Sequence, residues 1–134
     1  RSRGLPADSI RVLTVGGSAE QVGGGGSGKT IFSDVSVAKK FGESSAPIFL
    51  TVARGTFLPS ATISFYRMRQ GAAVRYYTIT LQEVSIVSQS WVGNSNAVDA
   101  PDSENITLRY ARITLLDDET GSRVCFDVSS NQTC

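Results

Sequence analysis

Residues 23–30 read GGGGSGKT, a letter-for-letter match to the phosphate-binding loop pattern G-x-x-x-x-G-K-[ST], formed by Gly23, Gly24, Gly25, Gly26, Ser27, Gly28, Lys29 and Thr30. Such a loop works only where it opens a helix, whose first free backbone N–H groups and positive dipole end bind the anion. The residues that follow forbid a helix. Ile31, Val35 and Val37 share one parity, with small or charged residues mostly on the other, which is the period of a strand. A second coincidence, Asp117, Asp118 and Glu119 after the apolar run 113–116, imitates the strand-plus-acid that holds magnesium in nucleotide hydrolases. The same acids before Gly121 are equally what a hairpin turn needs. A nucleotide-binding fold also requires several crossovers of ~30 residues, and there is room for one short helix. A phosphate-binding enzyme is therefore the remote reading.

Composition removes other classes. The 134 residues, 40% hydrophobic and 19% charged, suit a single domain over 1–134 with tails at 1–9 and 129–134. The 13 basic and 12 acidic side chains nearly cancel, and no basic run exceeds Lys39-Lys40, so nucleic acid is not an expected partner. With no His and two Cys, neither the usual zinc ligand sets nor a Ser-His-Asp or Cys-His site can be assembled, and no cofactor or metal is expected. No apolar run approaches the ~20 residues of a membrane-spanning helix. The chain opens at Arg1 without Met, which a cleaved export signal would explain, as would trimming.

The remaining signals are mostly those of strands. Residues 10–15 form one, ended by Gly16-Gly17. The stretch 23–28, too poor in side chains to pack, is a long exposed loop. One helix of about nine residues starts at Ser44-Ser45, with Pro47 near its first turn, Gly55 just past its end, and Ile48, Phe49, Val52 and Ala53 as its apolar stripe. Residues 61–69 and 75–88 pair as a hairpin across Gln70-Gly71, with Ile63 and Phe65 facing Tyr77, Ile79 and Leu81. A parity change between Leu81 and Val84 implies a bulge. Residues 94–104 are a polar loop in which Asp99, Asp102 and Glu104 are solvated charges. A long strand follows over 106–116, its parity shifting between Tyr110 and Ile113, and a short one over 123–128. Trp91 is an anchor for the core or an interface.

In this order the elements resemble the haemolysin-coregulated protein (Hcp) family, the inner-tube subunit of type VI secretion systems. The resemblance covers roughly 10–127. It rests on the glycines with Gly28-Lys29, on the strand Phe32-Ser33-Asp34-Val35-Ser36-Val37, on the helix within SSAPIFLTVARG, and on the paired strands YYTITLQEVSIVSQS and ENITLRYARITLLD. It implies a mainly β fold, a small antiparallel β-barrel flanked by one short helix, that assembles into hexameric rings stacked as a hollow tube. The expected partners are further copies of this chain, with secretion-machinery proteins or cargo. The alternative within the same fold is an exported subunit of an extracellular fibre.

Two features depart from the family pattern. The family's first strand has no counterpart, since residues 1–8, RSRGLPAD, stand where it should have just ended. An edge left open in this way can accept a strand from a neighbour. Cys125 and Cys134 are unusual for a tube assembled in a reducing cytoplasm. They suit a short loop closed by a disulfide, an intersubunit bond or two inert thiols, and an oxidised pair points to a secreted or extracellular destination. The glycine-rich residues Gly23 through Lys29 are the candidate assembly loop.

Overall fold

The computed structural model describes residues 10–22, 29–42, 44–93 and 102–134. Its elements are β1 (Thr14–Gly16), β2 (Ala19–Val22), β3 (Lys29–Phe32), β4 (Val35–Lys40), α1 (Ser45–Arg54), β5 (Phe57–Arg69), β6 (Ala72–Val92), β7 (Ser103–Arg109), β8 (Arg112–Asp117), β9 (Arg123–Asp127) and β10 (Gln132–Thr133). The mainly β class with a single helix among the described residues agrees with the sequence reading. Residues 1–9, expected as a tail standing where the family's first strand should have just ended, lie outside the described residues.

The chain divides into two compact units. The helix unit comprises Ile10–Phe57 and Val84–Arg109. In it, β1, β4, β7 and the later part of β6 pair in that order, all antiparallel, while β2 and β3 form a separate hairpin. The other, the hairpin unit, comprises Leu58–Glu83 and Tyr110–Cys134. There β5 pairs with the early part of β6, and β6, β8, β9 and β10 follow in order. The 21-residue strand β6 runs through both units.

Several boundaries differ from those expected. The strand over 10–15 shrinks to β1, and ahead of it the Leu13 N–H bonds to the Ala38 carbonyl at 2.7 Å. The strand after the glycine loop is two strands. Ser33 stops the first, its N–H donating to the Ser18 carbonyl at 2.9 Å and its Oγ accepting the Ser18 N–H at 2.8 Å, so β3 closes on β2 before the chain turns into β4. The 106–116 strand likewise divides into β7 and β8. The Ala111 N–H goes to the Gln82 carbonyl and its own carbonyl accepts the Val128 N–H. Opposite this break, Glu83 has φ +53, a left-handed conformation that non-glycine residues adopt at a cost. The register is nevertheless the same on either side of it, and the bulge expected between Leu81 and Val84 falls later, between Ile86 and Ser88. The Leu81 and Val84 side chains are both fully buried despite their odd spacing, with the left-handed Glu83 between them. The polar tail 129–134 is folded, its residues Gln132 and Thr133 pairing with Asp127 and Phe126.

The helix forms where its signals stand. Pro47 falls in the first turn, where a missing N–H costs nothing. Gly55 at φ +63 ends the helix, its N–H reaching the Val52 carbonyl while the Thr56 N–H reaches that of Thr51, the paired bonds of a Schellman cap. The hairpin turn also stands where expected, at Gln70 and Gly71, both with positive φ as a two-residue turn between twisted strands requires. Phe65 meets Tyr76 and Tyr77 at centroid distances of 6.3 and 6.5 Å.

Candidate assembly surface

In β4 the residues Val35, Val37 and Lys39 are buried on one face, and in β7 so are Glu104, Ile106 and Leu108. Both strands alternate strictly, so the charged residue in each continues an apolar face. Antiparallel register sets Lys39 directly opposite Glu104. Lys39 is 2% exposed and Glu104 0%, and Nζ lies 2.6 Å from Oε1. Glu104 is therefore not one of the solvated loop charges the sequence suggested. Asp99 lies outside the described residues, and Asp102 precedes β7 with its carbonyl accepting the Phe41 N–H at 3.2 Å.

A buried ion pair persists only if the remaining lone pairs and protons also find partners. Here the Ser45 hydroxyl donates to Glu104 Oε1 at 2.7 Å, Gln89 Nε2 donates to Oε2, and Lys39 Nζ donates to the Lys40 carbonyl at 2.9 Å. Burial raises the Glu104 carboxyl, but the hydrogen bonds from Gln89, Lys39 and Ser45 outweigh it and hold the group below its ordinary value. The network also attaches the helix. Ser45 is the buried residue of α1; its Oγ accepts the Gly42 N–H at 2.9 Å and its carbonyl accepts from Gln89. With no acid in the helix's own first turn, Glu104 supplies the carboxylate that its positive end favours.

Held by this polar anchor, the helix leaves its larger apolar side chains outside. Phe49 is 54% and Leu50 47% exposed, beside Phe41 and Trp91 at 41% and 53%. The Trp91 ring lies 6.0 Å from that of Phe41 and 6.3 Å from that of Phe49. Trp91 is thus part of an exposed aromatic patch, and the expected stripe of α1 is only partly covered within this chain.

Of the candidate assembly loop, Gly23 to Gly28 lie outside the described residues. Lys29 opens β3 and stands opposite Val22, with Thr30 opposite Gln21, so a paired strand and not a helix follows the GKT. The acids 117–119 are the hairpin turn as read: Asp117 Oδ1 accepts the Glu119 and Thr120 N–H groups at 2.9 and 3.2 Å, and Gly121 has φ +81. Those backbone donors hold the Asp117 carboxyl below its ordinary range. No His/Cys/Asp/Glu group able to hold a metal ion occurs among the described residues. Among the described residues no helix is long and apolar enough to cross a membrane.

Cys125 and Cys134 are joined within the chain, with Cα atoms 5.3 Å apart. Cys125 lies on β9 and Cys134 follows β10, and the Cys134 N–H donates to the Cys125 carbonyl at 3.1 Å. The turn between them is centred on Asp127, which accepts from the Ser129 hydroxyl at 2.7 Å, the Ser130 N–H at 3.1 Å and Arg112 at 3.1 Å. The Ser129 hydroxyl foremost, then the Ser130 N–H and the Arg112 guanidinium, hold its carboxyl far below the carboxylate range.

Solved structures share this fold. Hcp1 from Salmonella typhimurium aligns at a TM-score of 0.77 and 19% identity, covering 93% of this chain and 84% of that one. A mutant Hcp1 from E. coli EAEC 042 aligns at 0.76 and 22%, covering 89% and 80%. A type VI secretion system effector from Yersinia pestis aligns at 0.71 and 18%, covering 95% and 94%. No curated protein matches the sequence. The family model "Type VI secretion system effector, Hcp" matches residues 8–116, from before β1 through nearly all of β8, and the chain belongs to the Hcp family.

Proposed function

We propose that this chain is a structural subunit that assembles with copies of itself into rings, and that the rings stack as the conduit of a type VI secretion system. Family membership over residues 8–116 carries the reading. Two observations support it. The aromatic patch of Phe41, Phe49, Leu50 and Trp91 is the kind of contiguous apolar surface that marks an interaction site. The chemistry-bearing motif of the sequence, GGGGSGKT, runs into a strand instead of opening a helix. The role is construction, not catalysis. Rings close when one patch meets a different patch on the next copy by a rotation that returns to its start.

The glycine-rich segment Gly23, Gly24, Gly25, Gly26, Ser27, Gly28 and Lys29 acts at a contact between copies, where glycine lets two backbones approach closely. Secretion follows from the family, and the intrachain disulfide supports an oxidising destination. Native mass spectrometry tests the assembly. The unmodified chain gives one discrete multimer, whereas Trp91→Asp shifts it toward monomer with an unchanged circular dichroism spectrum. A monomer from the unmodified chain at every concentration overturns the proposal.

A further inference from the structure

The Cys125–Cys134 bridge joins the last two strands of the sheet, and what it holds in place is slight. Strand β10 is two residues long and both are exposed, as is Cys134 itself, while Cys125 is half-buried. Besides the bridge, β10 is secured by its pairing with Asp127 and Phe126 and by the Cys134 N–H. The turn before it passes through Asn131 at φ +58. Ordering this segment costs backbone entropy at every residue, and so short a ladder does not offset it without the covalent link. Opening the bridge therefore frees β10 and uncovers the edge of β9, where Val124 is already half exposed. A strand edge with free N–H and C=O groups takes another strand. The one segment shown to fit this edge in register is β10, and every copy of the chain carries one.

We propose that the bridge is a thiol-exchangeable latch through which β10 is traded between copies, so that Cys134 of one copy becomes bonded to Cys125 of the next. It rests on the self-assembly proposed above, which brings copies together, and it adds a covalent fastening to it. The chemistry requires only a catalytic small-molecule thiol. Its thiolate attacks the exposed Cys134 sulfur, forming a mixed disulfide there and releasing the Cys125 thiolate. That thiolate attacks the Cys134 sulfur of a second bridged copy, forming the intercopy bond and expelling the second copy's Cys125 thiolate, which attacks a third. In a closed ring the last Cys125 thiolate displaces the small thiol from the first copy and regenerates it. Each step breaks one S–S bond and forms one, with no net oxidation. The traded strand keeps the contacts it had within its own chain, which is why exchange of an identical element is a low-cost route to assembly.

Mixing equal amounts of ¹⁵N-labelled and unlabelled oxidised chain tests this directly. After incubation with a substoichiometric small thiol, alkylation and acid quench, chymotryptic cleavage after Phe126 separates the two cysteines. The proposal expects bridges of mixed label to approach about half of the total, the value for free exchange between copies, and none without thiol. Label-homogeneous bridges at every thiol concentration overturn it. Micrographs of Cys125→Ser/Cys134→Ser keep the two readings apart. Rings in that variant, with label-homogeneous bridges in the unmodified chain, defeat the latch and leave the assembly standing. Only monomers from both proteins defeat the assembly as well.

Discussion

The two units use charge in opposite ways. The helix unit buries one ion pair, Lys39 with Glu104, among Val35, Val37, Val84, Ile106 and Leu108. The hairpin unit keeps its ion pairs outside: Arg69 lies 2.6 Å from Glu119, Arg75 3.3 Å from Asp118 and Arg112 3.1 Å from Asp127, and Arg67 covers the face of Tyr76 at 4.0 Å. Only Leu81 and Thr78 there are buried outright; the Asp117 and Asp127 turns and a disulfide do the rest. A buried pair left half broken strands a charge in a medium that cannot solvate it. An exposed pair returns to water at little cost. Similar distances thus predict very different consequences.

The largest effect is expected at Glu104. Glu104→Ala leaves the Lys39 ammonium buried without its anion and releases Ser45, and chemical denaturation should show a loss of ~3–5 kcal/mol. The double variant Lys39→Met/Glu104→Leu should recover most of that loss, because two apolar chains suit the face on which the pair sits. A double variant as damaged as the single one would mean that the residues matter for something other than mutual neutralisation. Next comes the bridge. Cys134→Ser should cost ~2–3 kcal/mol, the value for a loop of this size, with hydrogen exchange rising first at the β9 amides. Little change in either would break the idea that the hairpin unit depends on its staple.

Acid should find the helix unit through the same carboxylate. Glu104 has its folded value lowered, so its contribution is complete above the unfolded value near ~4.3 and is lost as pH falls through the folded one. Glu104→Gln should flatten the acid limb of stability below about pH 4; an unaltered limb would assign it to other groups. The smallest effect is expected at Arg69→Ala, no more than ~1 kcal/mol and shrinking with added salt. A larger, salt-independent loss would show that the exposed pairs carry more than their position suggests.

How far the sequence could be read follows the same division. Turn chemistry is local, so Gln70-Gly71, Gly55 and the Asp117 turn stood where their residues placed them, while the parity change at Leu81 and Val84 marked the left-handed Glu83 and not the register shift, which falls between Ile86 and Ser88. What escaped was non-local. Glu104 looked like one of several loop acids because its partner lies 65 residues earlier. The signal was present all the same, since Lys39 stands two places after Val37 and Glu104 two before Ile106, and a charge continuing an apolar alternation calls for an opposite charge across the ladder. The break at Ser33 was hidden because backbone bonds to Ser18 decide it. The parity shift between Tyr110 and Ile113 did mark the second irregularity, and only the bonds of Ala111 to Gln82 and Val128 make it an end of one strand and the start of another. Trp91 could not be assigned to core or surface from its own neighbours, as its ring contacts come from Phe41 and Phe49.

The central claim is that this fold serves assembly, and electron microscopy of the purified full chain under negative stain tests it most directly. The account predicts closed rings of uniform diameter with stain-filled centres, some stacked in short tubes, and their loss in Trp91→Asp. Fields of separate globular particles at concentrations where other Hcp-family rings persist, unchanged by that substitution, would contradict it.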